Sequence, residues 1–283
     1  MSDTVSKVRI NDGLWHRQFD SENDYPTVPV TKKFALCTTP RCGSHFLGHK
    51  LHDLGAFGYP LEYLNPGNWQ VWNKRAGERP TLDFIKSIRT GPNGLFAVKL
   101  HHEHLTAFLK HEAEPLDYKF IHLRRRDLTK QAISFARAQQ TGAWISDMPE
   151  TAPACYDWAL IAEKMDAISR GNADWQSFLR SVGVQPLEMY YEDIVADTPQ
   201  AIAQIADYLD IDLAEVTPEE PAFAPKRQKK KAQDDWLTRF QADSRAMLSK
   251  GDAIPGVSYP DNVAVLRRRT VKVAKRLRAK AGF

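Results

Sequence analysis

Hydrophobic residues along this chain alternate between short unbroken runs and longer stretches in which they recur every three or four positions. Lys33-Phe-Ala-Leu-Cys37, Leu95-Phe-Ala-Val-Lys-Leu100, Tyr118-Lys-Phe-Ile-His-Leu123 and Pro186-Leu-Glu-Met-Tyr-Tyr191 are of the first kind and predict buried strands. Ser44 to Leu54 carries Phe46, Leu47, Leu51 and Leu54 on one face, and Thr198 to Leu209 spaces Ile202, Ile205, Ala206 and Leu209 in the same way; both predict helices. Further helices are predicted over 83–90, from Asp127 to about Gln140, over 155–182 and from Asp234. Strands alternating with helices predict a parallel sheet covered on both faces through right-handed crossovers, a three-layer α/β/α arrangement. Residues 55–69 read as a loop from their Gly, Pro and Asn, although they carry four aromatics. The expected organisation is an N-terminal arm over 1–31, one domain over 32–260 and a basic helix over 261–283.

In such sheets ligands lie beyond the carboxyl ends of the strands, so the residues just past each strand are informative. After the first comes a turn holding Pro40, Arg41 and Gly43, leading into a helix at Ser44. The first amides of that helix lack intrahelical partners and its dipole is positive there, which makes an anion pocket. Arg41 adds a permanent charge, and Ser44 can cap the helix or donate to an anion. After the second strand come Lys99, His101 and His102, after the third Arg124, Arg125 and Arg126, and after the fourth Glu192 and Asp193. Cations gathered at one sheet edge point to a ligand with more than one negative group. Two anion sites are expected: the turn from Arg41 to His45, and the arginine run with Ser134, eight residues beyond Arg126. The basic segment from Lys226 to Lys231 is placed to close over one of them. No Gly-Lys pair followed by Ser or Thr occurs, so the turn is not a nucleotide triphosphatase loop.

Composition narrows the picture further. Cys37, Cys42 and Cys155 show neither metal spacing nor a disulfide framework, which fits a reducing cytoplasm. Cys42 reads as the small residue the turn accepts. His101, His102 and His104 are too close in sequence to converge on zinc, and no metal is expected. No run reaches the roughly 20 apolar residues of a membrane span, and the polar, Asp-bearing N-terminus is not a secretory signal. Leu266 to Phe283 holds eight Lys or Arg and no acid, which turns the +4 of the whole chain into −4 for the rest. The global charge therefore gives no argument for nucleic acid. Leu266, Val273, Leu277 and Ala281 lie near one face of that tail among its basic residues. Two readings stay open: contact with anionic lipid at the inner face of the membrane, or a solvated or oligomer-packing helix.

Four stretches in order carry a family resemblance: TPRCGSHFL, GYPLEYLN, GPNGLFAVKL, and HLRRRDLTKQAISFARAQQTGAW with the later RQKKKAQDDWLTRF. From about Phe34 to Asp243 the chain resembles the bacterial PAPS-dependent sulfotransferases of the trehalose 2-sulfotransferase type. The resemblance implies a P-loop nucleoside triphosphate hydrolase-like sulfotransferase fold. It also implies the co-substrate 3′-phosphoadenosine 5′-phosphosulfate (PAPS), without a metal. Arg41, Cys42, Gly43, Ser44 and His45 would hold the 5′ end of this donor. Arg126 and Ser134 would bind the 3′-phosphate, with Arg227, Gln228 and Lys229 approaching it from the closing segment. Many relatives pair, which leaves monomer and homodimer both open.

The acceptor hydroxyl must lose a proton. The resemblance implies Glu62 as the base, with Lys99 steadying the sulfuryl oxygens. Lys99-Leu-His101 also reproduces the Lys-x-His of the cytosolic small-molecule sulfotransferases of animals, which makes His101 the rival base. Tyr59, Tyr63 and Trp69, with Asn65 and Trp72 nearby, suit a sugar or glycolipid acceptor. Two other functions remain open at this level: a non-catalytic nucleotide-binding protein and a small-molecule kinase.

Overall fold

The structure is a computed structural model and describes residues 19–145, 148–213 and 230–250, with side chains from 234 onward in the last of these. The Arg227, Gln228 and Lys229 segment and the basic tail over 261–283 lie outside the described residues. In chain order the elements are β1 (Lys32–Thr38), α1 (Ser44–Asp53), α2 (Pro66–Ala76), α3 (Thr81–Arg89), β2 (Leu95–His101) and α4 (Leu105–His111). They continue with β3 (Lys119–Arg124), α5 (Leu128–Thr141), α6 (Trp158–Ser181), β4 (Leu187–Tyr190), α7 (Tyr191–Ala196), α8 (Thr198–Leu209) and α9 (Lys230–Lys250). The four strands form one parallel sheet in the order β2-β1-β3-β4.

Alternation along each strand divides the core in two. Ala35, Cys37, Phe96, Val98, Leu100 and Phe120 face a cluster with Trp72, Phe108, Trp175 and Leu179. Phe34, Leu36, Ala97, Ile121 and Leu123 face the other cluster, with Leu47 and Leu51 of α1 and Ile205 and Leu209 of α8. Buried on both faces, the strands read as continuous apolar runs for this reason. Each fully buried Val, Leu, Ile or Phe among these contributes about 1.5–3 kcal/mol by leaving water.

Residues 55–69 are not all loop, because α2 starts at Pro66. Asn65 caps it, its side-chain oxygen accepting from the Gly67 N–H, with proline at the first helical position. The described part of the N-terminal arm is tied to the body. Tyr25 N–H donates to the Ile88 carbonyl at 2.9 Å, and the Asp24 carboxylate meets the fully buried Arg89 at 3.1 Å.

One connection matters most for the site. Leu61 bridges Val98 in parallel beyond the β2 edge, and Lys99 N–H donates to the Leu61 carbonyl at 2.9 Å. The residue after Leu61 is thereby laid beside Lys99.

Candidate active site

Glu62 is that residue. Lys99 and His101 lie two apart on β2, so both side chains project from the same face. They meet the carboxylate together, Lys99 Nζ at 2.9 Å and His101 Nε2 at 3.1 Å from the same oxygen, Oε1. Asn68 Nδ2 donates to the Glu62 carbonyl at 2.8 Å and fixes the loop. Burial alone would raise the Glu62 carboxyl, but Lys99 and then His101 override it and hold it well below the usual carboxylate range.

The far side of the imidazole is also fixed. His101 Nδ1 is 2.8 Å from Thr38 Oγ1, which is 3.1 Å from the Leu100 carbonyl. The His101 side chain also accepts from the His104 backbone N–H, which leaves Nδ1 the bare nitrogen and Nε2 the one that bears the proton. Nε2–H therefore points at Glu62, so the oxygen rather than the imidazole has the open lone pairs. Trp175 Nε1 donates to the Thr38 carbonyl at 2.9 Å and anchors the end of β1.

The turn expected to hold an anion comes directly after β1. Gly43 has φ +94° and caps α1, and a Cβ there would lie 2.1 Å from the Tyr191 ring. Arg41 also has positive φ, +65°, a strained backbone of the kind that collects at functional turns. Its guanidinium is turned inward. Nε donates to Ser134 Oγ at 2.9 Å, and another N–H reaches the Trp144 carbonyl. Burial first, and then the neighbouring Arg125, lowers its pKa to about 10, so it stays charged at neutral pH. Gln131 Nε2 donates to Thr39 Oγ1 at 3.0 Å and to the Pro40 carbonyl at 2.8 Å, tying the turn to α5. Cys42 is fully buried and burial raises its thiol, which rules out an activated thiolate. Ser44 is buried at the first turn of α1. His45 Nε2 lies 3.1 Å from His49 Nε2, and burial, then His49, holds it well below the usual histidine range.

The arginine run divides by environment. Arg125 packs on the Tyr191 ring at 5.2 Å, and its buried Nε has no hydrogen-bond partner among the described residues. Arg126 is half exposed and forms a two-pronged pair with Asp193, both contacts at 2.6 Å, over the Tyr190 ring. The Glu192 carboxylate accepts from the backbone N–H of Arg126 and of Asp127 and holds the turn.

The structure brings Glu62, Lys99 and His101 together, and it places Ser134 against Arg41 rather than against Arg126. Two acceptor candidates are corrected. Tyr63 is fully buried with its hydroxyl on the Tyr59 carbonyl at 2.5 Å, and Tyr59 is buried and stacked on His52 at 3.7 Å. Both are core rings, so neither offers a face to a substrate. Trp69 is partly buried and packs against His111 at 4.5 Å. Arg125 belongs to the arginine run expected from sequence, whereas Thr38, Gln131 and Tyr191 were not singled out as site residues. The Tyr-Tyr-Glu-Asp at the end of β4 was the available signal for the last of these.

The family profile described as Stf0 sulphotransferase matches residues 33–243. The chain belongs to the Stf0 sulphotransferase family. This family membership makes it a sulfotransferase. Among curated relatives, a protein of Mycolicibacterium smegmatis named trehalose 2-sulfotransferase is 23% identical, over 79% of this chain and 97% of its own length. One of the same name from Mycobacterium tuberculosis is 25% identical over 76% of this chain and 96% of its own. Among solved structures, the sulfotransferase domain from the Curacin biosynthetic pathway covers 87% of this chain and 98% of its own, at 16% identity and a TM-score of 0.43. No helix among the described residues is long and apolar enough to cross a membrane.

Proposed function

We propose that the protein transfers the sulfuryl group of PAPS to a hydroxyl group of a carbohydrate. The observation that carries this reading is the convergence of Glu62, Lys99 and His101 at the end of β2, beside the cationic turn at the end of β1. The turn suits a multiply charged donor: glycine keeps it open against Tyr191, and Arg41 and Arg125 both serve it, Arg125 from a position where its Nε is 3.7 Å from the Glu192 carboxylate.

The acceptor oxygen attacks sulfur in line, the bond from sulfur to the 5′-phosphate oxygen breaks, and the acceptor proton passes to Glu62. The products are a sulfate ester and adenosine 3′,5′-bisphosphate. Oε1 is shared by Lys99 and His101, so Oε2 is the oxygen assigned to the proton. A strongly acidic carboxyl is a poor base, and donor binding corrects this. Sulfuryl oxygens compete for Lys99, and each cation drawn off Oε1 raises the Glu62 pKa toward the operating pH. His101 keeps its Nε2–H on Oε1 and orients the carboxylate. Arg41 and the first amides of α1 meet the charge growing on the leaving phosphate oxygen, by analogy with phosphoryl transfer. Arg126, released from Asp193, and Ser134, released from Arg41, bind the 3′-phosphate.

Both named relatives carry trehalose in their names, which favours a sugar acceptor. Incubation with PAPS and a panel of sugars that includes trehalose, read by mass spectrometry for a sulfate ester, tests the reading. Phosphorylation of the panel from ATP and magnesium, with no sulfation, would overturn it in favour of a kinase.

A further inference from the structure

We propose that His49 is a positioning residue of the PAPS site: it fixes the tautomer of His45, so that His45 meets the 5′ end of PAPS as a neutral imidazole with its proton on Nδ1. This rests on the sulfotransferase reading above.

His45 and His49 lie four apart in α1, which puts them on one face of the helix. Their rings stand edge to face with centres 4.3 Å apart, and the two Nε2 atoms are 3.1 Å apart. Such a contact is a hydrogen bond only if one nitrogen carries a proton and the other a lone pair. His49 is the rear member of the pair. It is buried, and its ring meets Tyr59 edge-on at 5.9 Å, while Tyr59 is itself stacked on His52. Core rings therefore hold it in place. Gly48 lets this part of α1 come close: a Cβ there would lie 3.1 Å from the Pro60 carbonyl oxygen, on the stretch that leads to Glu62.

His45 is the forward member. It is partly exposed at the first turn of α1, and its Nδ1 has no hydrogen-bond partner among the described residues. Lys99, Glu62 and Arg41 are its charged neighbours, so it stands between the turn and the Glu62–Lys99 pair.

Both rings are neutral at neutral pH. Burial opposes an imidazolium first, followed by His49 and Lys99 at His45 and by Lys99 at His49. One proton then serves the contact between the two Nε2 atoms, and two arrangements exist. If His45 donates from Nε2, its Nδ1 is a bare lone pair and repels an anionic oxygen. If His49 donates from Nε2, His45 keeps Nδ1–H and can donate it to that oxygen. An oxyanion at the turn selects the second arrangement, and an N–H at the place of His49 Nε2 makes that arrangement available.

Glutamine carries an N–H near the place of Nε2, and leucine carries none. Wild type, His49→Gln and His49→Leu would be titrated by calorimetry with adenosine 3′,5′-bisphosphate and with adenosine 3′-monophosphate, which lacks the 5′ group. His49→Leu should weaken the bisphosphate about tenfold, the loss of one hydrogen bond to a charged group. It should leave the monophosphate within about twofold, since the 3′ contacts are untouched. His49→Gln should restore most of the lost affinity. In the wild type with bisphosphate bound, nitrogen NMR of labelled histidines should find His45 protonated on Nδ1 alone and His49 on Nε2; this arm needs no variant to fold. A His45 proton on Nε2, or on both nitrogens, overturns the inference. So does a His49→Leu that binds both nucleotides as wild type does or weakens both equally, or a His49→Gln no better than His49→Leu. Failure of the wild type to bind the bisphosphate would instead overturn the donor reading.

Discussion

Replacing Glu62 by glutamine removes one negative charge and leaves the shape almost unchanged. Lys99 is only 4% exposed and loses a carboxylate oxygen at 2.9 Å; His101 loses the same oxygen at 3.1 Å. At an effective dielectric of about 20, the attraction of a charge pair this close is about 6 kcal/mol, much of it offset by desolvation. Breaking a buried pair costs about 3–5 kcal/mol. Glu62 is itself 23% exposed, so water can reach the orphaned ammonium and the lower end, about 3 kcal/mol, is expected. For a chain of 283 residues this corresponds to a Tm about 5 °C lower. Because its folded pKa is depressed, Glu62 contributes stability that is fully present above the unfolded value of 4.5 and is lost as pH falls through the lower folded value. The Tm difference between wild type and Glu62→Gln should therefore be constant from pH 6 to 8 and shrink only below about 4.5. In the same variant kcat should fall at least about 10²-fold for want of a proton acceptor, while bisphosphate binding tightens because a negative charge has left the anion site. Differential scanning calorimetry, sulfate-transfer rates and calorimetric titration read the three effects. A fully active, equally stable Glu62→Gln, set beside a crippled His101→Ala, would refute the reasoning and make the imidazole the base.

Gly43→Ala should abolish bisphosphate binding in a titration, because its φ of +94° disfavours a side chain and the Cβ would collide with Tyr191; Tyr191→Ala on that background should restore part of it. Arg126→Ala removes an exposed pair with Asp193, so Tm should change by less than about 1 °C while affinity for adenosine 3′,5′-bisphosphate falls about tenfold or more. His49 is buried and its pKa is lowered to about 3 by burial, then by Lys99. The unfolded chain takes up the proton first, so stability is lost as pH falls from 6.5 toward 3. The loss is about 2 kcal/mol at pH 5, and calorimetry on His49→Gln should show a weaker acid dependence than wild type. Trp175→Phe leaves the Thr38 carbonyl without its indole donor at 2.9 Å and should cost about 1–3 kcal/mol in chemical denaturation.

The strands were legible because both faces of the sheet are buried, so each reads as an unbroken apolar run; the observed bounds differ from the predicted ones by a residue or so. The tight turn at Arg41 and Gly43 was legible from strand, glycine and helix in succession. Helix α2 was hidden by Pro66 and Gly67, although Asn65-Pro66 is itself a helix start. Tyr59 and Tyr63 were misread because an aromatic in a Gly- and Pro-rich stretch looks exposed; the stretch runs beside β2 and its rings fill the core. The sequence offered Glu62 and His101 as rivals, whereas they share a contact made by that same edge pairing, which no local pattern encodes. The Arg41–Ser134 contact spans 93 positions and was equally out of reach.

The central claim is that a bisphosphorylated adenosine donor lies beyond the strand ends. Calorimetric titration of the full chain with adenosine 3′,5′-bisphosphate, and separately with adenosine 5′-monophosphate, tests it most directly. One-site binding of the bisphosphate is expected, stabilising the fold by about 2.7 kcal/mol at 100 times Kd, with the monophosphate at least about tenfold weaker for want of the 3′-phosphate contacts. No binding of the bisphosphate, or equal affinity for the two nucleotides, would contradict the account.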